Sequence, residues 1–512
     1  SYINITEQQQ IIFFVLGTMV PAYFLKSLYL VGLSHYQNRY ISFISSDISN
    51  RLFESYLNQD FMFHNNRNSA ELIKMFQIEI NMVTQLLLSG LILVTEIALT
   101  VAIVTTLLFL EPMGTIFIIA FFLIFGSIFY YFSRNKSNAW GIIRQQADNN
   151  IAKLLTEGLN GFREVYLFGK KHFFQNKLIE FNKIKARVNS NQLTLGQIPR
   201  YYLEFVSIIS FVGFIFLMII NDKSISEIIP ISGVFIAATF RVLPSVNRII
   251  ASLQQVKYYK SSVDLVYRDL KLNSLPIEEE NKKKITFKDK LTLDNISFSY
   301  SKTISPIFEN LDFELKKGEV VGIIGPSGVG KSTFINIIVG FLHSFEGDFK
   351  IDGNPINYSN SSEWRKQLGY VSQSIYLIDD TISANIAFGE GTHEIDDQRM
   401  ENAINKAQLY SFIQSLPNQL ETIIGERGTQ LSGGQQQRIG IARALYRDPK
   451  LLILDEATSA LDEDTEKYVM KSIEGLKGEM TILIITHRLS TLACCDKIYK
   501  VDQKKLVEQI CN

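Results

Sequence analysis

Before about residue 255 the apolar positions gather into five long runs, at 11–33, 84–110, 114–133, 201–220 and 229–255. About 20 such residues span the hydrocarbon core of a bilayer as a helix, so each run is read as a membrane span. The fifth carries Arg241 and Arg248 and scores poorly on hydropathy alone. The remainder of the chain lacks long uncharged runs and reads as an ordinary soluble α/β protein.

Lys and Arg set the orientation. The connection 34–83 holds Arg39, Arg51, Arg67 and Lys74, and 134–200 holds twelve basic residues, including Lys170, Lys171 and Arg200. The turn Glu111-Pro112-Met113 has none, and 221–228 has only Lys223. The two long connections are therefore expected in the cytoplasm, which puts Ser1 outside and everything after 256 inside. They keep a helical pattern, so the spans are expected to continue as helices beyond the membrane. Each should turn back through a short element, near Leu57 to Asn66 and near Gly158 to Phe168, and a docking surface for the downstream domain explains their length better than two helical hairpins packed only on each other. Residues 271–290 combine a charge run with Pro276 and no hydrophobic period, which marks a linker. The expected organisation is a transmembrane domain over 1–270, a linker over 271–290 and a second, soluble domain over 291–512.

Length and charge narrow the class. A chain of 512 residues exceeds one ordinary core. Lys plus Arg equals Asp plus Glu at 51 each, which offers no general attraction to nucleic acid. Cys494, Cys495 and Cys511 lack metal-site spacing and read as reduced cytosolic thiols. The chain opens with Ser1, and no basic segment precedes the first apolar run, so a truncated start is expected rather than a signal peptide.

The chemistry lies in the second half. Gly325-Pro326-Ser327-Gly328-Val329-Gly330-Lys331-Ser332 stands between a strand pattern and an apolar helix and fits GxxxxGKS. Such a loop wraps phosphates with backbone N–H groups, Lys331 reaches the β- and γ-phosphates, and Ser332 ligates Mg²⁺. Downstream, LLILDEATSALD is an apolar strand ending in Asp455 and Glu456. Asp455 is expected to hold Mg²⁺ and its water, and Glu456 to accept a proton from the attacking water. Between them Leu431-Ser432-Gly433-Gly434-Gln435 opens a helix with small residues, exposing N–H donors suited to an anion.

The order GPSGVGKST (through Thr333), Gln373, LSGGQ, LDEATSALD and Ile485-Thr486-His487-Arg488 resembles ABC-transporter nucleotide-binding domains over about 285–505. The resemblance implies ATP and Mg²⁺ as cofactors. It also implies that Tyr300 stacks on adenine, that Gln373 joins Mg²⁺ and water to the membrane domain, and that His487 contacts the γ-phosphate. Asp462 would close the loop that crosses the dimer, and Gly425 to Gly428 would touch the cytoplasmic helices. In this family the LSGGQ of one subunit completes the phosphate site of the other. With Glu456, His487 and the signature all unaltered, two identical copies would form two competent sites, so a homodimer is expected.

The membrane half resembles the exporter plan, in which six spans precede the ATPase domain; here five do, so a first span is expected to be missing. The resemblance places the chain in a bacterial inner membrane. Within that plan GQIPRYYLE (196–204), YRDL (267–270) and FRVLPSVNRII (240–250) are similar to bacterial lipid-linked oligosaccharide flippases. Arg241 and Arg248 stand seven residues apart, hence on one helix face, with Pro244 between them expected to bend the helix. Intramembrane charges usually face a water-filled cavity or an anionic partner. With Lys26 and Arg200 they would form a basic cavity for a pyrophosphate head group, unless Arg248 and Lys26 snorkel to an interface. Glu96, isolated in LILVTEIALT, could pair with one of these bases. The leading expectation is an ATP-driven flippase of a lipid-linked oligosaccharide. The alternatives are an exporter of lipid A, drugs or peptides, and a non-transporting ATP-gated regulator.

Overall fold

Hydrocarbon offers no water to a backbone N–H or C=O, so an apolar run that crosses it must satisfy those groups within its own helix. In the computed structural model, which describes residues 7–110, 112–220, 222, 224–272, 285–300, 305–391, 393–458 and 460–509, the first half is accordingly helical. Contacts divide the chain into two units, Ser1–Leu275 and Pro276–Asn512. Most of the predicted linker lies outside the described residues, as do Ser1, Glu111, Lys223 and Cys511.

The first unit is built from α1 (Glu7–Leu57), α2 (Phe61–Asn66), α3 (Ser69–Lys74), α4 (Ile80–Leu110), α5 (Pro112–Asn160), α6 (Phe162–Leu167), α7 (Lys171–Ile220) and α8 (Ile225–Leu270). Five helices among the described residues are long and apolar enough to cross a membrane. The long helices run far past their apolar stretches, and short α2 and α6 sit at the two cytoplasmic turns the sequence marks. Asp60 caps α2 by accepting from Phe63 N, and Asn68 caps α3 by accepting from Ala70 N. A π-turn, Met75–Glu79, joins α3 to α4 and buries the ion pair Lys74–Glu79 at 3.0 Å. Pro199, Pro230 and Pro244 are accommodated inside helices that remain continuous.

One apolar core lies between α5, α7 and α8. It includes Ile118, Phe122, Leu203, Phe214, Phe235 and Val242. The most apolar window of α1 is 0% buried within the single chain, so its cover must come from lipid or another subunit. Towards the cytoplasmic ends the core turns polar. Arg144 donates to Ser262 Oγ at 2.8 Å, Asp148 pairs with Lys185 at 2.6 Å, and Tyr258 donates to Asn189 Oδ1 at 2.7 Å. At the last turn of α8 the buried Asp269 carboxylate accepts from Tyr56 and Arg67, both at 2.8 Å, tying α8 to the first cytoplasmic turn.

Helices α5 and α8 touch backbone to backbone, because a methyl at Gly141 would stand 2.1 Å from the Tyr258 carbonyl oxygen. Gly141→Ala must therefore push the helices apart, and overpacking of this kind costs roughly 1–3 kcal/mol or more. We expect a lowered thermal unfolding midpoint in detergent. Gly126→Ala, whose methyl would meet Ile250 at an ordinary 3.6 Å, should leave it unchanged. Equal midpoints for both variants would refute the close crossing.

The second unit holds two sheets. The strands are β1 (Lys290–Phe298), β2 (Phe308–Lys316), β3 (Val320–Ile324), β4 (Glu346–Ile351), β5 (Asn354–Pro355), β6 (Leu368–Val371), β7 (Leu451–Asp455), β8 (Thr481–Ile485), β9 (Lys497–Asp502) and β10 (Lys505–Gln509). The helices are α9 (Lys331–Ile338), α10 (Ser361–Arg365), α11 (Ile382–Ile386), α12 (Asp397–Lys406), α13 (Tyr410–Gln414), α14 (Gly433–Tyr446), α15 (Glu463–Glu474) and α16 (Leu489–Leu492). The six-stranded sheet runs β10-β9-β3-β8-β7-β6, and all its pairings are parallel except β9 with β10. Strands β7 and β8 are buried almost throughout, which is why they read as unbroken apolar runs. An antiparallel sheet, β2-β1-β4-β5, completes the unit.

Candidate functional site

Parallel strands put their carboxyl ends on one edge, and ligands of such sheets bind there. Here β3, β7 and β8 end side by side, delivering Gly325 to Ser332, Asp455 with Glu456, and Thr486 with His487 to that edge. The loop after β3 turns through Gly328 (φ 80°) and Gly330 (φ 112°), conformations that L side chains rarely adopt, and Gly330 caps the N-terminus of α9. Pro326, Ser327 and Gly328 are exposed and Gly325 and Val329 half-buried, so the loop is open to a phosphate. Lys331 is buried and donates to Gly325 O at 2.7 Å and Pro326 O at 3.0 Å. Burial lowers its pKa, and the nearby Glu456 and Asp455 charges oppose that shift.

Glu456 is the hub. Its Oε2 accepts from Gln373 Nε2 at 2.8 Å and its Oε1 lies 2.9 Å from His487 Nε2. His487 Nε2 also stands 3.2 Å from Lys331 Nζ. Protonated toward Glu456, that nitrogen cannot accept from Lys331, which keeps the two loop carbonyls. Glu456 has φ 50°, a left-handed conformation uncommon for a residue with a side chain, held by its N–H to Ile485 O at 2.9 Å. Burial pushes the Asp455 pKa up and the Glu456 charge adds to it, while Tyr370 and Lys331 lower it. Tyr370, on β6, donates to Asp455 Oδ2 at 3.5 Å, and burial raises its own pKa. The sequence reading missed Tyr370; its only signal is its place in β6, three residues before Gln373.

The remaining predicted residues fall into separate groups. Tyr300 is half-exposed, and its hydroxyl lies 3.2 Å from Thr333 Oγ1 on the buried side of α9. Ser432 caps α14, accepting from Gln435 N at 3.3 Å while Gln435 Oε1 accepts from Ser432 N at 2.8 Å. A methyl on Gly433 would meet Ala460 Cβ at 3.3 Å, and one on Gly434 would meet Leu461 Cδ2 at 3.3 Å. Within one chain the neighbours of this signature are thus Ala460 and Leu461, whereas those of Lys331 are Gly325, Pro326 and His487. Asp462 caps α15 by accepting from Thr465 N at 2.9 Å. Gly425 (φ 74°) to Gly428 (φ 67°) form a tight 3₁₀ turn. Buried Glu466, another residue the sequence did not single out, accepts from Thr458, Thr491 and Arg488, joining the segment after β7 to that after β8.

Mg²⁺·ATP fits this donor set. Backbone N–H groups converge at the N-terminus of α9, the Ser332 hydroxyl is exposed beside them, and Asp455 supplies one half-buried carboxylate. Among the described residues no group of three or more His, Cys, Asp or Glu could hold a metal ion. Mg²⁺ needs none, since it keeps waters and takes phosphate oxygens beside one or two protein ligands. The metal would neutralise charge developing on the phosphates.

In the membrane half two of the four candidate cavity cations have an acid beside them. Arg248 Nε lies 2.8 Å from Glu96 Oε1, and Arg200 Nε lies 3.1 Å from Glu204 Oε1. The Lys26 ammonium stands over the Tyr23 ring, 5.2 Å from its centre. Arg241 is exposed and forms no ion pair among the described residues. An intramembrane charge is least costly when paired, and acids already in these helices supply the partners. Arg248 and Arg200 are thus paired, and Lys26 and Arg241 form no ion pair among the described residues.

A phosphate loop, a strand-terminal acid pair and a histidine on adjoining strand ends define a P-loop nucleotide hydrolase. Residues 308–459 match the ABC transporter family, and residues 3–239 match the ABC transporter transmembrane region. An ATP-dependent lipid A-core flippase of Cupriavidus metallidurans is 29% identical over 506 residues, covering 96% of this chain and 83% of that protein. One of Saccharophagus degradans is 29% identical over 490 residues, covering 93% and 80%. A bacterial Atm1-family ABC exporter with ATP bound shares the fold, with TM-score 0.79 and 24% identity over 92% of this chain and 82% of that one. The chain belongs to the ABC transporters and is an exporter-type half, a membrane domain followed by the ATPase domain that drives transport. It has the multi-pass topology of inner-membrane ABC transporters, with the ATPase domain in the cytoplasm. Because these relatives are lipid A-core flippases, the narrower resemblance to oligosaccharide flippases gives way to this broader one.

Proposed function

We propose that the chain, paired with a second copy of itself, flips a phosphorylated glycolipid of the lipid A-core kind across the membrane at the expense of ATP. The observation that carries this reading is the relatives' breadth, since proteins bearing that name align along nearly the whole chain, membrane half included. The stripe on α8 supports it. Arg241 offers a guanidinium fork that suits a phosphate monoester, while Glu96 pairs with Arg248 about two turns further on. In the ATPase unit Glu456 takes the proton of the attacking water, His487 and Lys331 meet the γ-phosphate, Tyr300 stacks on adenine, and Gln373 reports to the membrane domain. Residues 432–435 close the partner's site. A second reading, a polyprenyl-diphosphate oligosaccharide as cargo, rests on the FRVLPSVNRII segment.

Proteoliposomes separate the two readings. With fluorescent lipid A-core and polyprenyl-diphosphate glycan in parallel, ATP should drive translocation of the first and not the second. Arg241→Ala should slow it while basal hydrolysis continues. Translocation of the diphosphate glycan alone would reverse the order of the readings, and full-rate flipping by Arg241→Ala would remove the α8 stripe from the argument.

A further inference from the structure

The mechanism leaves one reactive cluster unused. After β8 and the short α16, the chain reaches β9 through a turn carrying Cys494 and Cys495 side by side. Cys494 Sγ donates to Thr491 O at 3.2 Å, and Cys495 follows it directly in the turn. Both cysteines are partly exposed. Cys494 lines a cavity of about 1020 Å³ whose wall also includes Asp462, Glu466, His487 and Arg488. The neighbouring Cys495 thiol lowers the Cys494 pKa, burial and the Glu474 charge oppose that shift, and the Lys477 charge adds a smaller lowering. A thiol with a second thiol next to it in the chain, partly exposed and open to a cavity, is accessible to a thiophilic reagent.

The second sulfur touches the catalytic frame. A methyl on Gly322, in the middle of β3, would stand 3.1 Å from Cys495 Sγ and 2.7 Å from Leu492 Cδ2. Cys495 therefore packs on the strand that leads into the phosphate loop, three residues before Gly325. The turn is also clamped to the start of β3, since Asp496 N donates to Val320 O at 2.7 Å and Val320 N donates to Asp496 Oδ2 at 2.9 Å. Close-packed neighbours transmit such a displacement and do not absorb it.

We propose that Cys494 and Cys495 form a vicinal dithiol site on the ATPase domain that captures a thiophilic centre needing two sulfurs, such as monosubstituted trivalent arsenic, and that capture impairs ATP hydrolysis. Soft centres prefer thiolate ligands. The ligand class follows from the count, because no third metal-ligating side chain joins the pair among the described residues. With phenylarsine oxide, two As–S bonds form, the As–O bond breaks, and the oxygen leaves as water with both thiol protons. No electron is transferred. The bound arsenic enlarges the group lying against Gly322 and displaces β3 or the turn.

The test uses the full chain with Cys511→Ser, so that only the pair responds. Intact mass should show one phenylarsenic group per chain. Hydrolysis should fall about ten-fold and return with 2,3-dimercaptopropanol but not with an equal amount of monothiol, because a chelating competitor has the effective-concentration advantage. Cys494→Ala and Cys495→Ala should each abolish capture and hydrolyse ATP undisturbed by the reagent. Capture surviving in either variant, or a captured chain hydrolysing at full rate, would overturn the proposal.

Discussion

Glu456→Gln brings steady-state ATP hydrolysis close to zero while ATP still binds. The carboxylate proposed as the base is held on both oxygens, by Gln373 Nε2 at 2.8 Å and His487 Nε2 at 2.9 Å. An amide at this position is nearly isosteric, but it cannot act as a base, and its N–H₂ faces one of two groups that already donate. Removing a general base costs typically ~10²–10⁴-fold in rate. The phosphate loop and Lys331 are untouched, so affinity for ATP, measured by equilibrium dialysis, should change little. Lys331→Ala provides the contrast, because it deletes the cation proposed to meet the phosphates and should weaken binding itself. A Glu456→Gln protein turning over near the parental rate would show that another group accepts the proton.

Mixing two inactive chains restores activity. Within one chain the Ser432–Gln435 turn packs on Ala460 and Leu461, and Lys331 packs on Gly325, Pro326 and His487, so the two halves of a site do not meet there. If each is completed by the partner subunit, a dimer of one Gly434→Asp chain and one Lys331→Ala chain carries both lesions in one site and neither in the other. Each homodimer carries a lesion in both sites and is inactive. Co-reconstitution should therefore recover up to about half the specific activity of a parental dimer in the mixed species, isolated by two affinity tags. No recovery, with both chains folded and assembled, would mean that sites are built within one chain.

The sequence carried the fold class because its two halves obey different solvents. Runs such as LILVTEIALT and FVGFIFLMII have to be helices, since lipid leaves the backbone no other partner. LLILD and TILII have to be buried strands, since they are short, apolar and bounded by turn residues. The phosphate loop was equally legible, because a conformation with φ near +80° to +112° is written in the sequence as glycine at 328 and 330.

What the linear pattern left open were the pairings across long separations. Nothing near Glu456 in sequence announces that its oxygens are shared between residues 373 and 487, or that Tyr370 donates to Asp455. Parallel strand order β3-β8-β7-β6 makes these neighbours, through crossovers that carry no local signal. The same holds in the membrane half. The sequence left open which base Glu96 pairs with, and the packing of α4 against α8 sets it 2.8 Å from Arg248, while Asp269 gained meaning only beside Tyr56 and Arg67. The sequence by itself determined which residues had to avoid water and which had to turn tightly, because both depend on local chemistry. Which charges cancel and which carboxylate is held for work were decided by tertiary structure, because Coulomb and hydrogen-bond energies depend on distance through space and not along the chain.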